Sequence, residues 1–246
     1  MNFLEFFAIV EQERDILNPI SPEKLEKVAA YAGLRDGLSV LDVGSGKGAL
    51  LRQWARQWDI RGVGLEPNPA FVQEAREAAQ AQRLSERLSF WEGKALDFPV
   101  KIASYDVVVC LGATFALGTF SEALAWMRDH VKPGGVIIIG DVILNEPMPQ
   151  ETLEKHGWQE LAILPERYEQ FSAAGLELIG LSVSSTDDWD HYTSLMWSAV
   201  SRWAAENPEH PNLVEVLQKV QEGRVNYLNW EREHLGWAVM VGRVTG

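Results

Sequence analysis

The sequence predicts an α/β fold: a doubly wound sheet of seven strands, the last antiparallel, with a helical cap inserted before that strand. Three observations predict it. Short apolar runs alternate with helical patterns from Leu38 to Val142. A glycine-rich turn joins the first run to the first helix of that series, and two late strand-like runs flank a long aromatic insertion.

The strands of the series are Ser39–Val43, Gly62–Leu65, Leu88–Trp91, Tyr105–Leu111 and Val136–Val142. Three of them are almost wholly apolar, as strands covered on both faces must be. Ala49–Trp58, Pro69–Gln82 and Ser121–Val131 lie between them, each with apolar residues at helical spacing. Pro69 suits a first helical turn and Asn68 can cap it. Lys132-Pro133-Gly134-Gly135 predicts a tight turn into the fifth strand. A further helix begins at Pro165-Glu166-Arg167-Tyr168 and closes at Ala174-Gly175, Leu176–Val183 is a sixth strand, and Gly236–Val244 is the last.

The insertion between those two strands places Trp189, Tyr192, Met196, Val200 and Trp203 at steps of three and four, on one helix face. Pro208 and Pro211 break that helix, and Leu213, Val216, Leu217 and Val220 start another. The chain therefore divides into an N-terminal helical arm or lid over 1–35, a core over 36–184 and 236–246, and a helical cap over 185–235.

Composition narrows the function classes. The formal net charge is −13 over 246 residues, which argues against a nucleic-acid partner. Cys110 is the single cysteine, so no intrachain disulfide forms and a reducing compartment is expected. The apolar start Phe3–Val10 lacks a basic flank and contains Glu5, unlike a signal peptide. No apolar stretch is long enough to span a bilayer. The reading is a cytoplasmic protein with no membrane partner, monomeric or homodimeric.

Leu41-Asp42-Val43-Gly44-Ser45-Gly46-Lys47-Gly48-Ala49 follows a strand and opens a helix, as a nucleotide-cofactor loop does. Glu66 ends the next strand, where a carboxylate accepts two hydrogen bonds from a ribose diol. Gly44-x-Gly46-x-x-Ala49 also satisfies a dinucleotide fingerprint, so an NAD(P)-dependent oxidoreductase is the alternative. Asp42 weighs against it, because a carboxylate there suits an ammonium group and repels a pyrophosphate.

Val40-Leu41-Asp42-Val43-Gly44-Ser45-Gly46-x-Gly48 resembles the first motif of the class I S-adenosylmethionine-dependent methyltransferases. Gly64-Leu65-Glu66-Pro67-Asn68 is similar to their second motif, and Glu92-Gly93-Lys94-Ala95-Leu96-Asp97 to their adenine-contacting one. Lys132-Pro133-Gly134-Gly135 is similar to their turn before the fifth strand. Asp15-Ile16-Leu17-Asn18-Pro19, Leu111-Gly112-Ala113-Thr114, Trp189-Asp190-x-Tyr192, Glu206-Asn207-Pro208 and Trp230-x-Arg232-Glu233-x-x-Gly236-Trp237 resemble a bacterial family of small-molecule methyltransferases. The resemblance implies a Rossmann-like core, S-adenosylmethionine as cofactor and in-line methyl transfer to a small-molecule acceptor. A non-catalytic S-adenosylmethionine-binding regulatory protein is a second alternative.

On that reading Asp42 takes the charged end of the cofactor, and Gly44, Ser45, Gly46 and Gly48 allow close backbone approach. Glu66 and Pro67 flank the ribose, and Leu111 and Gly112 floor the sulfonium. Lys94 stands where the superfamily often has an acidic residue; lysine has no acceptor, so backbone groups of Ala95 and Leu96, or alternatively Asp97, are expected to hold the adenine. On the acceptor side Asp141, at a central strand end, is the candidate base, with Tyr192 and His191 from the cap. Leu111 and Val142-Ile143 supply no carboxylate cluster, so no metal is expected.

Overall fold

The computed structural model describes residues 1–99, 102–158 and 160–245; Gly246, which closes the core range read from sequence, lies outside the described residues. Two helices lead: α1 (Phe3–Val10), opened by a capping box between Asn2 and Glu5, and α2 (Pro22–Tyr31), capped by Ser21. The alternating series follows as β1 (Ser39–Val43), α3 (Ala49–Gln57), β2 (Arg61–Glu66), α4 (Pro69–Ala81), β3 (Leu88–Glu92), β4 (Tyr105–Leu111), α5 (Phe120–His130) and β5 (Val131–Leu144). After it come α6 (Gln150–Lys155), α7 (Leu164–Ala173), β6 (Leu176–Val183), α8 (Thr186–Glu206), α9 (Leu213–Asn226), a π-turn over Tyr227–Glu231 and β7 (Leu235–Val244).

The strands form one seven-stranded sheet in the order β3-β2-β1-β4-β5-β7-β6. The first five are parallel, and β7 runs antiparallel between β5 and β6. The predicted fold class is the one found, including the helical insertion between β6 and β7.

Alternation along the strands builds two cores. Val40, Val107, Val109, Val136 and Ile138 pack under α2, α3 and α4 with Leu25, Leu51, Trp54 and Val72. Leu41, Val43, Val108, Cys110, Ile137 and Ile139 pack under α5 and α7 with Leu124, Met127 and Phe171. Each fully buried side chain of this size contributes about 1.5–3 kcal/mol.

β5 departs from expectation. It starts at Val131, paired with Tyr105, and resumes at Val136, paired with Val107, so Lys132-Pro133-Gly134-Gly135 forms an irregularity inside the strand and not a turn before it. Gly134 takes φ +72, which suits glycine there. The strand also runs on to Leu144, because Leu235 of β7 gives it a partner that far.

The N-terminus and the insertion form one helical layer. Val10 of α1 joins Val200 and Trp203 of α8 and Val216 and Val220 of α9 in a small separate core. The amino group of Met1 meets Glu215 at 3.3 Å, and Glu13 is held by Ser198 at 2.8 Å and by Arg202. No helix among the described residues is long and apolar enough to cross a membrane.

Candidate active site

At the carboxyl ends of β1 and β4 the chain leaves a partly open cleft. This is the edge where open α/β sheets bind ligands. Asp42, Gly44, Ser45, Gly46 and Leu111 line it from the core. Asp15, Ile16, Leu17 and Asn18 line it from the segment between α1 and α2.

The glycine-rich turn is tied to the next strand by backbone bonds. Gly44 and Ser45 both donate to the Leu65 carbonyl, at 2.9 and 3.0 Å. Glu66 is buried at the end of β2, where Oε2 accepts from the Gly46 amide at 3.0 Å and Oε1 from the Asn68 amide at 2.8 Å. Each carboxylate oxygen keeps a second lone pair for a ligand. Burial pushes the Glu66 carboxyl up, and the two amides partly offset that. Asp42 is pushed up to about 8, by burial first and by the Glu66 charge second. Among the described residues no cation is paired with Asp42.

The glycines do different jobs. A Cβ on Gly44 would meet Ala113 Cβ at 2.2 Å, and one on Gly46 would meet Leu17 Cδ1 at 2.7 Å. Both are cleft residues at positive φ. Gly48 does not line the cleft; a Cβ there would meet the Phe90 ring at 2.4 Å, so packing explains its identity.

The segment Glu11–Asn18 is strapped over the cleft. Lys47 Nζ donates to the Gln12 carbonyl at 3.2 Å, and the Tyr192 hydroxyl donates to the Leu17 carbonyl at 3.3 Å. Arg14 stacks on the Tyr192 ring, donates to the Tyr192 carbonyl and pairs with Glu11. Asn68 caps α4 and also donates to the Leu4 carbonyl at 3.1 Å.

The residues expected on the acceptor side do not converge. Strand alternation puts Asp141 with Ile137 and Ile139 on the α5–α7 face, away from Leu111 and the cleft. Its carboxylate accepts from Thr114 Oγ1 at 2.5 Å and from the Val142 amide at 2.8 Å. Burial pushes the Asp141 carboxyl up, against those two bonds and the Arg167 charge. His191 is exposed, and the Tyr192 hydroxyl is spent on the strap. Burial pushes that hydroxyl well up, so Tyr192 stays neutral. The arrangement does not bring together Asp141, His191 and Tyr192, the residues read as a catalytic group. Lys94 and Leu96 are exposed around the short helix Ala95–Asp97, Pro67 is exposed beside Glu66, and Gly93 donates to the Glu66 carbonyl at 3.0 Å.

Residues 40–135, which contain the glycine-rich turn, Glu66 and the β4 end, match the family described as methyltransferase domain. The fold agrees, at TM-score 0.91 and 29% identity, with an S-adenosylmethionine-dependent methyltransferase of Geobacter sulfurreducens solved with S-adenosyl-L-homocysteine; 98% of each chain is covered. Residues 40–135 form a methyltransferase domain, and over its whole length the chain is similar to S-adenosylmethionine-dependent methyltransferases in sequence and fold. Its cofactor is S-adenosylmethionine, which sets aside the nicotinamide alternative. YjhP of Escherichia coli (strain K12) is 29% identical over 243 residues, covering 97% of this chain and 98% of that one. Erythromycin 3''-O-methyltransferase of Saccharopolyspora erythraea is 34% identical over 135 residues, 53% of this chain and 44% of that one.

Asp15–Asn18 carry much of the cleft wall; the segment falls within the N-terminal arm or lid read from the sequence over 1–35 and contains the Asp-Ile-Leu-Asn-Pro motif.

Proposed function

We propose that this methyltransferase acts on a small-molecule acceptor, in the cleft between the glycine-rich turn and the strap. One observation carries the reading: a buried carboxyl, Asp42, faces the cleft beside Glu66 with no cation of its own. An ammonium head fits that vacancy in charge, and the glycine cradle and the unpartnered buried Ser45 Oγ fit close backbone approach and a polar ligand.

When bound, S-adenosylmethionine supplies an activated methyl group on a positively charged sulfur. The chain's own task is placement. Asp42 holds the amino end, Gly44, Ser45 and Gly46 pass close to the ligand, and the free lone pairs of Glu66 accept the ribose hydroxyls. Leu111 and Gly112 form the floor, while Lys94, Ala95 and Leu96 flank the adenine through backbone groups. Leu17 and Ile16 close the top and exclude water. Fixing an acceptor in line removes an entropic barrier that can reach about 7–11 kcal/mol. The helical layer of α1, α8 and α9 serves as the acceptor cap. Asp141 and His191 take no part.

The strap across the cleft, the acidic chain and a relative named for an erythromycin methyltransferase all support a small acceptor over a macromolecule. A buried lone cysteine fits a cytoplasmic enzyme. The test is incubation of a cell metabolite extract with methyl-labelled S-adenosylmethionine and the enzyme. Label in a low-molecular-weight product is expected; label confined to protein or nucleic acid would overturn the proposal.

A further inference from the structure

Two buried polar groups on the side chains that flank Gly112 have no hydrogen-bond partner among the described residues. Asn18 is 8% exposed and lines the cleft, and its Oδ1 accepts nothing. Trp237 is 3% exposed, and its indole Nε1–H donates to nothing. Both flank the same backbone. A Cβ on Gly112 would lie 3.0 Å from Trp237 Cη2 and 4.0 Å from Asn18 Cβ. Gly112 follows Leu111, the cleft floor, so the side chain of Asn18, which lines the cleft, and the six-membered edge of the Trp237 ring flank the position read as the sulfonium floor.

The surroundings exclude an anionic or a protonated-amine acceptor there. Arg14 is committed to Glu11 and Tyr192, and Lys47 to Gln12 and Glu74. The charged side chains that line the cleft are Asp15 and Asp42, which repel an anion. A protonated amine has no lone pair for the Trp237 N–H. Ile16 and Trp189 pack against the cluster that contains Leu111 and Trp237, so the neighbourhood is otherwise apolar.

We propose that Asn18 and Trp237 hold the reacting hydroxyl of an uncharged acceptor built on an apolar skeleton, which makes the chain an O-methyltransferase. The inference rests on the reading of the cleft as the methyl-donor site. A hydroxyl carries one proton and two lone pairs. The proton goes to Asn18 Oδ1, one lone pair accepts from Trp237 Nε1–H, and the other points at the methyl carbon. A neutral amine has a single lone pair and cannot both accept from the indole and attack. In the step the O–CH3 bond forms as the S–CH3 bond breaks, the bonding pair stays on sulfur, and the hydroxyl proton passes to water at the mouth of the cleft, where Asp15 is exposed.

The test uses the full chain saturated with S-adenosylhomocysteine, whose own binding is measured first by calorimetry. Phenol, toluene and benzylamine are then titrated while the Trp237 indole N–H resonance, assigned with Trp237→Phe, is followed. Phenol is expected to shift that resonance and to bind about tenfold more tightly than the other two, the scale of one or two hydrogen bonds. Asn18→Ala, saturated with S-adenosylhomocysteine according to its own measured affinity, is expected to erase most of that advantage and to leave toluene within twofold of the parent. If Trp237→Phe does not fold, Asn18→Ala carries the comparison. Equal binding of phenol and toluene, no phenol binding, or tighter binding of benzylamine would overturn the inference alone. Failure of S-adenosylhomocysteine to bind would overturn the methyl-donor reading beneath it.

Discussion

The guanidinium carbon of Arg14 lies 3.4 Å from the centroid of the Tyr192 ring, which joins the N-terminal strap to the first helix of the insertion across 178 residues of sequence. Arg14 also meets Glu11 Oε1 at 2.6 Å, and both side chains are almost wholly buried. A pair like this is hard to break from one side. Removing Arg14 leaves Glu11 as an uncompensated buried charge, which costs about 3–5 kcal/mol. Arg14→Met is therefore expected to loosen the strap strongly, and adding Glu11→Gln is expected to recover much of the loss. Hydrogen exchange of amides 11–18 checks this. Equal protection in Arg14→Met and the parent would show that the stack does not hold the strap.

Glu66 has a structural task as well as the proposed binding one. Its two oxygens satisfy the amides of Gly46 and Asn68, so Glu66→Ala leaves two donors without partners at about 1–3 kcal/mol each. A lower melting temperature and roughly 10- to 100-fold weaker S-adenosylhomocysteine binding are expected together. Glu66→Gln keeps one acceptor oxygen and is expected to fall between. Calorimetry on the three proteins decides, and unchanged affinity in Glu66→Ala would remove Glu66 from the site.

Gly44 and Gly46 separate backbone demand from strap packing. A Cβ at Gly44 collides with Ala113 Cβ at 2.2 Å, a short side chain that cannot rotate away. A Cβ at Gly46 meets the end of Leu17, a flexible group that can. Both take positive φ, a strain common to the two. Gly44→Ala is expected to cost several kcal/mol, and Gly46→Ala about 1–2 kcal/mol with a displaced strap. Leu17→Ala should then relieve Gly46→Ala and not Gly44→Ala. Denaturant titration of the single and double variants measures the difference; equal rescue at both positions would contradict the packing described.

Much of this was legible in the sequence because the core obeys local rules. Apolar runs such as Val107–Leu111 and Ile137–Ile139 can only be strands covered on both faces. Asp42, the glycines and Glu66 follow from strand ends, which are local too. The acceptor side was not legible, because it depends on which face of β5 a residue takes and on contacts made at long range. Asp141 sits one residue beyond Gly140, whose strand neighbour is Leu111, and that single step turns it to the opposite face. Leu17 and Tyr192 meet 175 residues apart, and nothing near either one announces the other. The joint core of Val10 with Val200 and Val216 is hidden for the same reason.

The carboxyl of Asp42 sets a pH signature. Its value is pushed up to about 8 from 3.8, so the folded chain without cofactor binds a proton there that the unfolded chain has lost above the usual carboxylate range. A raised value contributes stability that is complete below the unfolded value and lost as pH climbs through the folded one. The parent is thus expected to lose stability relative to Asp42→Asn between about pH 4 and 8, and to run parallel to it above that. Cofactor binding has the opposite trend. The ionised carboxylate pairs with the ammonium group, so S-adenosylhomocysteine affinity should rise by up to about tenfold per unit below pH 8. It should turn over near pH 8 and fall above, where an ordinary α-amino group near 7.7–8.0 itself loses its proton. Asp42→Asn is expected to bind more weakly with little of that rise. Calorimetry from pH 6 to 9 in buffers of different ionisation enthalpy measures both affinity and proton release. Equal slopes for the parent and Asp42→Asn would show that Asp42 does not face the ammonium.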